Sequence, residues 1–173
     1  HYFVGEHALK YLYKKYKDDI SLVVLIDNYL ENNKVYKFLI SENFSPDKIL
    51  YYNKKLCNRL QEANSAQKID YFLLLWWPKI IPESIINIPD KGSINLHPSY
   101  LPFCKGKDPN FWALIEEADY GVSIHKVQAG IDNGPIMFQK KIEVNWTDDG
   151  GTLYNKAVDE IIKLFKESYP LIR

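Results

Sequence analysis

Cysteine and methionine are scarce in this sequence, and an excess of charge of either sign is missing altogether. The two cysteines, Cys57 and Cys104, stand far apart, and neither has a second Cys or a His at metal-ligand spacing. That pattern argues against a disulfide framework and against a metal site of the zinc kind, and it fits a reducing cytoplasm. Lys and Arg number 22, as do Asp and Glu, so the formal net charge is zero at pH 7. With no global field to hold a polyanion, a nucleic-acid partner is disfavoured. Long hydrophobic runs are missing too. The longest, residues 71–77, falls far short of the ~20 needed to cross a bilayer, and no charged-then-apolar leader opens the chain. A soluble, cytoplasmic protein with no membrane partner is expected. The only methionine is Met137, and the chain opens His1-Tyr2-Phe3-Val4-Gly5. Residues ahead of His1 are therefore expected, and a truncation after Arg173 is left open.

What is present is apolar substance: 46% of the 173 residues are hydrophobic. That suffices for one domain with a real core and is too short for two, so residues 1–173 read as a single catalytic domain. No internal repeat, low-complexity tract or linker interrupts it. The abundance of Lys, Ile, Asn and Tyr fits an AT-rich bacterial genome.

The hydrophobic period alternates along the chain. Ala8, Leu9, Leu12 and Tyr16 recur at helical spacing and predict a helix over 6–15, while the β-branched run at 21–27 predicts a strand. Further helices are expected over 34–43 and 54–66, with a short strand at 48–52 between them. Residues 70–77 and 92–97 read as buried strands on either side of a turn-rich stretch. Pro109 opens a helix to 117. Residues 120–128 and 135–144 alternate as half-buried strands around the turn "AGIDNG", and a helix over 152–168 closes the chain behind cap candidates in "DDGGT". The order implies an α/β fold: a mostly parallel open sheet flanked by helices, with ligands beyond the carboxyl ends of the strands. The first helix has no strand before it, so an opening strand is expected to be missing.

Three polar groups fall where strands end: Asn95, His97 and Asp132. Alternate strand residues share a face, so Asn95 and His97 point the same way. An imidazole beside an amide donor, with a carboxylate in reach, is suited to acyl transfer. The imidazole handles the proton of an attacking amine, the amide donates to a developing oxyanion, and the carboxylate orients the ring. By itself, Asn-x-His-Pro is more often a strand exit whose side chains satisfy local backbone groups.

The wider pattern carries more. "SINLHPSYLPFCKG" followed by "YGVSIHKVQAGIDNGPIMFQKKIEV" resembles the catalytic region of the folate-dependent formyltransferases, the family of glycinamide ribonucleotide and methionyl-tRNA formyltransferases. The shared pattern is Asn-x-His-Pro-Ser-x-Leu-Pro, then Gly-Val-Ser-x-His, then Asp seven residues on. It falls here on Asn95, His97, Pro98, Ser99, Leu101, Pro102, Gly121, Val122, Ser123, His125, Asp132, Gly134 and Ile136, within residues 70–144. The resemblance implies a Rossmann-like formyltransferase fold, N10-formyltetrahydrofolate as formyl donor, and catalytic roles for Asn95, His97 and Asp132. It also implies a structural role for His125. The pterin would lie between Trp76, Trp77, Pro78, Lys79, Ile80 and Ile81 on one side and Val127, Gln128, Ala129, Gly130 and Ile131 on the other. For at least one of the two tryptophans, core packing is the better expectation.

The acceptor amine is less sharply marked. The stretch Val4-Gly5-Glu6-His7 lacks the Ser-Asn pair of the glycinamide ribonucleotide enzymes, and the loop after Leu101-Pro102 lacks the Arg-x-Arg-Gly usual in the tRNA enzymes. "KGKDPNFW" looks instead like sugar N-formyltransferases, which formylate an amine on a nucleotide-linked deoxysugar. Lys105 and Lys107 would meet a diphosphate, and Phe103, Phe111 or Trp112 would stack on a base or sugar. Against that, exposed lysines are usually solvated surface, and aromatics at the start of a helix often pack into the core. The alternatives are a formyltetrahydrofolate hydrolase, a methionyl-tRNA formyltransferase and a non-catalytic folate or nucleotide binder. A homodimer is compatible with the resemblance.

Overall fold

A computed structural model describes residues 2–26 and 33–173. Its elements run α1 (Tyr2–Lys15), β1 (Val23–Leu25), α2 (Lys34–Ser41), β2 (Ile49–Tyr51), α3 (Leu56–Ala66), β3 (Phe72–Leu74), α4 (Glu83–Ile86), β4 (Ser93–His97), α5 (Pro109–Ile115), β5 (Tyr120–Lys126), β6 (Ile136–Ile142) and α6 (Gly150–Ile172). Local chemistry sets several boundaries. The Asn33 side chain accepts the Tyr36 N–H and starts α2, and Asp149 with Thr152 forms a reciprocal capping box at the start of α6. The strand expected over 21–27 is observed at Val23–Leu25; Asp27 lies outside the described residues.

Successive strand residues feed opposite helix layers, as a buried parallel strand requires. In β2, Ile49 packs with Leu9 and Tyr13 of α1 and Val35 and Leu39 of α2, while the next residue, Leu50, packs with Leu56 and Leu60 of α3. The largest core joins α1, the strands β4 and β5, and the inward face of α6 from Leu153 to Ile172. β1 and β2 pair in parallel, as do β3 and β4. β5 is antiparallel to β4, and β6 to β5, which completes the four-stranded order β3-β4-β5-β6. The α/β class is as expected, with the parallel portion ending at β4. The "AGIDNG" turn makes a hairpin of β5 and β6, and a hairpin is antiparallel by construction.

No helix among the described residues is long and apolar enough to cross a membrane, and both cysteines are free thiols.

Candidate active site

β4 positions the first two residues. Its register sets Asn95 opposite His125 and His97 opposite Ser123 on β5, so Asn95 and His97 share one face, with His97 only 6% exposed. The third arrives from the loop between β5 and β6. That loop closes tightly: a Cβ on Gly134 would fall 1.7 Å from the Lys126 carbonyl oxygen, and the Lys126 N–H donates to the Pro135 carbonyl at 2.9 Å. Only glycine fits there. The closed loop turns Asp132, itself left-handed at φ 45°, toward both imidazoles.

The Asp132 carboxylate spans the two rings, with Oδ2 3.4 Å from His97 Nε2 and Oδ1 3.5 Å from His125 Nε2. The backbone N–H of Gly106 donates to Oδ2 at 2.9 Å. Burial pushes the Asp132 carboxyl upward, but the His125 hydrogen bond, the His97 charge and the Gly106 amide outweigh it, and the net shift is below the ordinary carboxylate value. Burial dominates at His97 and lowers its pKa to about 4, against the opposing pull of Asp132. The resting imidazole is therefore neutral at pH 7, a free proton acceptor.

His125 does more than fill the core. Its Nδ1 donates to the Lys126 carbonyl at 2.9 Å, and its Nε2 stands 3.3 Å from Asn95 Nδ2. A neutral ring accepts there from the Asn95 amide; a protonated one donates to Asp132. Two buried atoms of the cluster, Asn95 Oδ1 and His97 Nε2, have no hydrogen-bond partner. His97 Nε2 is close to Asp132 without being aligned for a hydrogen bond. Buried polar atoms are nearly always satisfied, so two orphans on one face of β4 are candidates for a ligand's polar groups.

The loop after β4 is anchored from below. Ser123 Oγ donates to the Ser99 carbonyl at 2.7 Å and accepts the Leu101 N–H at 3.1 Å, while Gln139 Nε2 donates to the Leu101 carbonyl at 2.6 Å. Lys105 Nζ donates to Asn133 Oδ1. Lys105 thus ties two loops together, whereas Lys107 is exposed and pairs with Asp108 at 3.7 Å. Phe103 and Trp112 are 44% and 45% exposed, and Trp112 meets the exposed Phe111 edge-on.

The residues expected around a pterin divide. Trp76 turns its side chain into the core against Tyr154, at a ring separation of 5.9 Å. Trp77 meets Tyr52 at 5.5 Å and keeps a buried Nε1 without a partner. Pro78, Lys79 and Ile80 are exposed, Lys79 lying over the Tyr52 ring, and Ile81 is half-buried. Val127 donates its N–H to the Ser93 carbonyl, and Gln128, Ala129, Gly130 and Ile131 are exposed. None of the hydrogen bonds, ion pairs or ring contacts of the described residues joins the 76–81 set to the 127–131 set. Gly106, at φ 83°, and Gln139 were not singled out by sequence pattern, whereas Ser123 fell within the shared family pattern without a role assigned to it.

The α/β fold brings an amide, an imidazole and a carboxylate together at strand ends, an arrangement suited to acyl-group transfer. The "Formyl transferase" family matches residues 12–168, and the chain belongs to that family. It is 39% identical over 127 residues to a methionyl-tRNA formyltransferase of Dictyoglomus thermophilum, covering 72% of this chain and 41% of that one. The chain thus spans under half of that relative's length. It superimposes with a TM-score of 0.62 and 30% identity on the formyltransferase PseJ from Anoxybacillus kamchatkensis, solved with UDP-4,6-dideoxy-4-formamido-L-AltNAc and tetrahydrofolate, covering 88% of this chain and 76% of that one. A phosphoribosylglycinamide formyltransferase from Streptococcus pneumoniae TIGR4 shares the fold at a TM-score of 0.73 and 18% identity, covering 96% and 93%.

Proposed function

We propose that the protein is an N-formyltransferase that uses N10-formyltetrahydrofolate to formylate a primary amine on a nucleotide-linked amino-deoxysugar. The observation that carries this is the unpartnered, buried pair Asn95 Oδ1 and His97 Nε2 beside Asp132. Bound donor supplies the formyl group. The Asn95 amide nitrogen has two hydrogens; one meets His125, and the second is free for the negative charge that develops on the formyl oxygen. Asp132, through water, relays the proton that the attacking amine loses to neutral His97 and stabilises the resulting imidazolium; that proton then goes to N10 as the bond between the formyl carbon and N10 breaks and tetrahydrofolate leaves. Residues 77–81 and 127–131 would hold the pterin, chiefly through exposed backbone.

The sugar acceptor is supported by the exposed Phe103 and Trp112 and by the Lys105–Asn133 tie, and by PseJ's bound nucleotide-linked formamido sugar. A methionyl-tRNA acceptor is the second reading, favoured by the 39% identity to the Dictyoglomus enzyme. The deciding assay is spectrophotometric release of tetrahydrofolate in the presence of nucleotide-linked 3- or 4-amino-deoxysugars, of charged initiator tRNA, or of no amine. Release that requires one amino sugar is expected. Release only with tRNA would move the assignment to the second reading, and release without an amine would make the protein a hydrolase. No release with any acceptor would overturn the enzymatic reading.

A further inference from the structure

One row of side chains crosses three strands, from the site to the rim of the sheet. The register sets His97 opposite Ser123 and Ser123 opposite Gln139, and directly opposed residues share a face. Gln139 lies on β6, which among the described residues pairs only with β5. Its neighbours Lys140 and Lys141 are exposed, as suits an outer strand. Gln139 is half-buried and turns its amide inward: Nε2 donates to the Leu101 carbonyl at 2.6 Å and to Ser123 Oγ at 3.0 Å.

A count of hydrogens fixes which way that amide faces. Ser123 Oγ has a single hydrogen, which goes to the Ser99 carbonyl, and its lone pairs receive the Leu101 N–H and Gln139. Whatever faces it from β6 must therefore donate. The Leu101 carbonyl needs a donor as well, and the Gln139 amide nitrogen supplies both hydrogens. Leu101 is 3% exposed, and its N–H and C=O are held by side chains of two different strands.

The backbone that follows Leu101 is the backbone that touches the catalytic groups. The Phe103 N–H closes a turn on the Tyr100 carbonyl at 3.1 Å. Beyond that turn the Gly106 N–H donates to Asp132 Oδ2, and between the two the Cys104 backbone is hydrogen-bonded to His97. A loop pinned at Leu101 thus carries the backbone groups that meet both His97 and Asp132.

We propose that Gln139 is a positioning residue for formyl transfer: it touches no reacting atom and, by fixing the Leu101 peptide, sets the following loop backbone against His97 and Asp132. The proposal rests on the formyl-transfer reading of the site.

Gln139→Met removes both donors at similar size, and Gln139→Glu at about pH 8 sets a carboxylate against two acceptors. In heteronuclear NMR spectra of the ligand-free chain, the Gly106 amide proton should move upfield from its carboxylate-bonded position in both variants, and its exchange should quicken roughly tenfold. By tetrahydrofolate release, with whichever acceptor supports it, kcat should fall about 10- to 100-fold with KM nearly unchanged, more for Glu than for Met. Ser123→Ala releases the same peptide, so combined with Gln139→Met it should cost less in kcat than the product of the two separate losses. If Gln139→Glu does not fold, Gln139→Met and the milder Gln139→Asn, which keeps the amide on a shorter arm, carry the comparison. A packing role would lower the unfolding midpoint and leave Gly106 and the kcat of the folded protein as in the parent, which would overturn the proposal. So would a fall in kcat with the Gly106 amide unmoved. Because the spectra need neither donor nor acceptor, an inactive parent would count against the formyl-transfer reading, whereas an unmoved Gly106 counts against Gln139 alone.

Discussion

At the scale of single residues, the site is organised around Asp132, which touches two imidazoles and one backbone amide. His97→Ala and Asp132→Ala should each lower turnover by orders of magnitude while circular dichroism and the unfolding midpoint show a folded protein; near-normal turnover in either would remove it from the mechanism. Asn95→Ala should cost about 3 kcal/mol of transition-state stabilisation, seen in kcat and not in KM alone. His125 never faces the reacting atoms in this scheme; it orients Asn95. His125→Ala should therefore lower kcat, and adding it to Asn95→Ala should cost less than the two separate losses combined. Full additivity would leave His125 a packing residue. Asn95 and His97 were legible because a strand period of two puts them on one face, and Asp132 through its place in a family pattern. The Gly106 amide was not, since a backbone donor leaves no mark in side-chain chemistry.

Among the elements, α6 shows best where local signals mislead. The pattern suggests an end at residue 168, two residues before Pro170, yet the helix continues to Ile172. Pro170 has no N–H for the carbonyl four residues back, that of Lys166. The Tyr11 hydroxyl of α1 donates to that carbonyl instead, at 2.9 Å. A tertiary contact thus replaces the bond the sequence forbids, and no window of local sequence contains it. Tyr11→Phe should destabilise the fold by about 1 kcal/mol in urea unfolding, and Pro170→Ala in the same chain should recover much of that by restoring the helical donor. Equal losses in both backgrounds would show the hydroxyl to be incidental. Apart from the one-turn α4, which lies in the stretch read as turns, the other elements were read correctly in kind and drifted at their ends: α1 begins four residues before the expected 6, and β1 and β3 are shorter than their apolar runs. Hydrophobic period reports which face is buried, whereas pairing decides where a strand stops.

For the whole molecule, acid should be the effective denaturant. His97 in the unfolded chain binds a proton near its ordinary pKa of 6.5, and in the fold only near 4. Between those values the unfolded state holds more protons, so stability falls as pH drops through that window, by about 3 kcal/mol in all. Asp132, shifted below its ordinary value, adds stability above that value that is lost at still lower pH. Urea midpoints at pH 7, 5 and 4 should fall steeply for the parent and more gently for His97→Asn; parallel curves would acquit the imidazole. The α/β class was legible from the alternation of periods, while the division into two sheets depends on pairing across the whole chain and was not. One further consequence follows from the Lys105–Asn133 and Gly106–Asp132 bonds. They fasten the loop expected to meet the acceptor to the loop expected to meet the donor, so the two ligands meet one shared surface. Under the proposed function their affinities become linked quantities: whatever factor the amino sugar adds to folate binding, folate must add to sugar binding. Calorimetric titration in both orders should return the same factor above one, and Lys105→Ala should bring it toward unity.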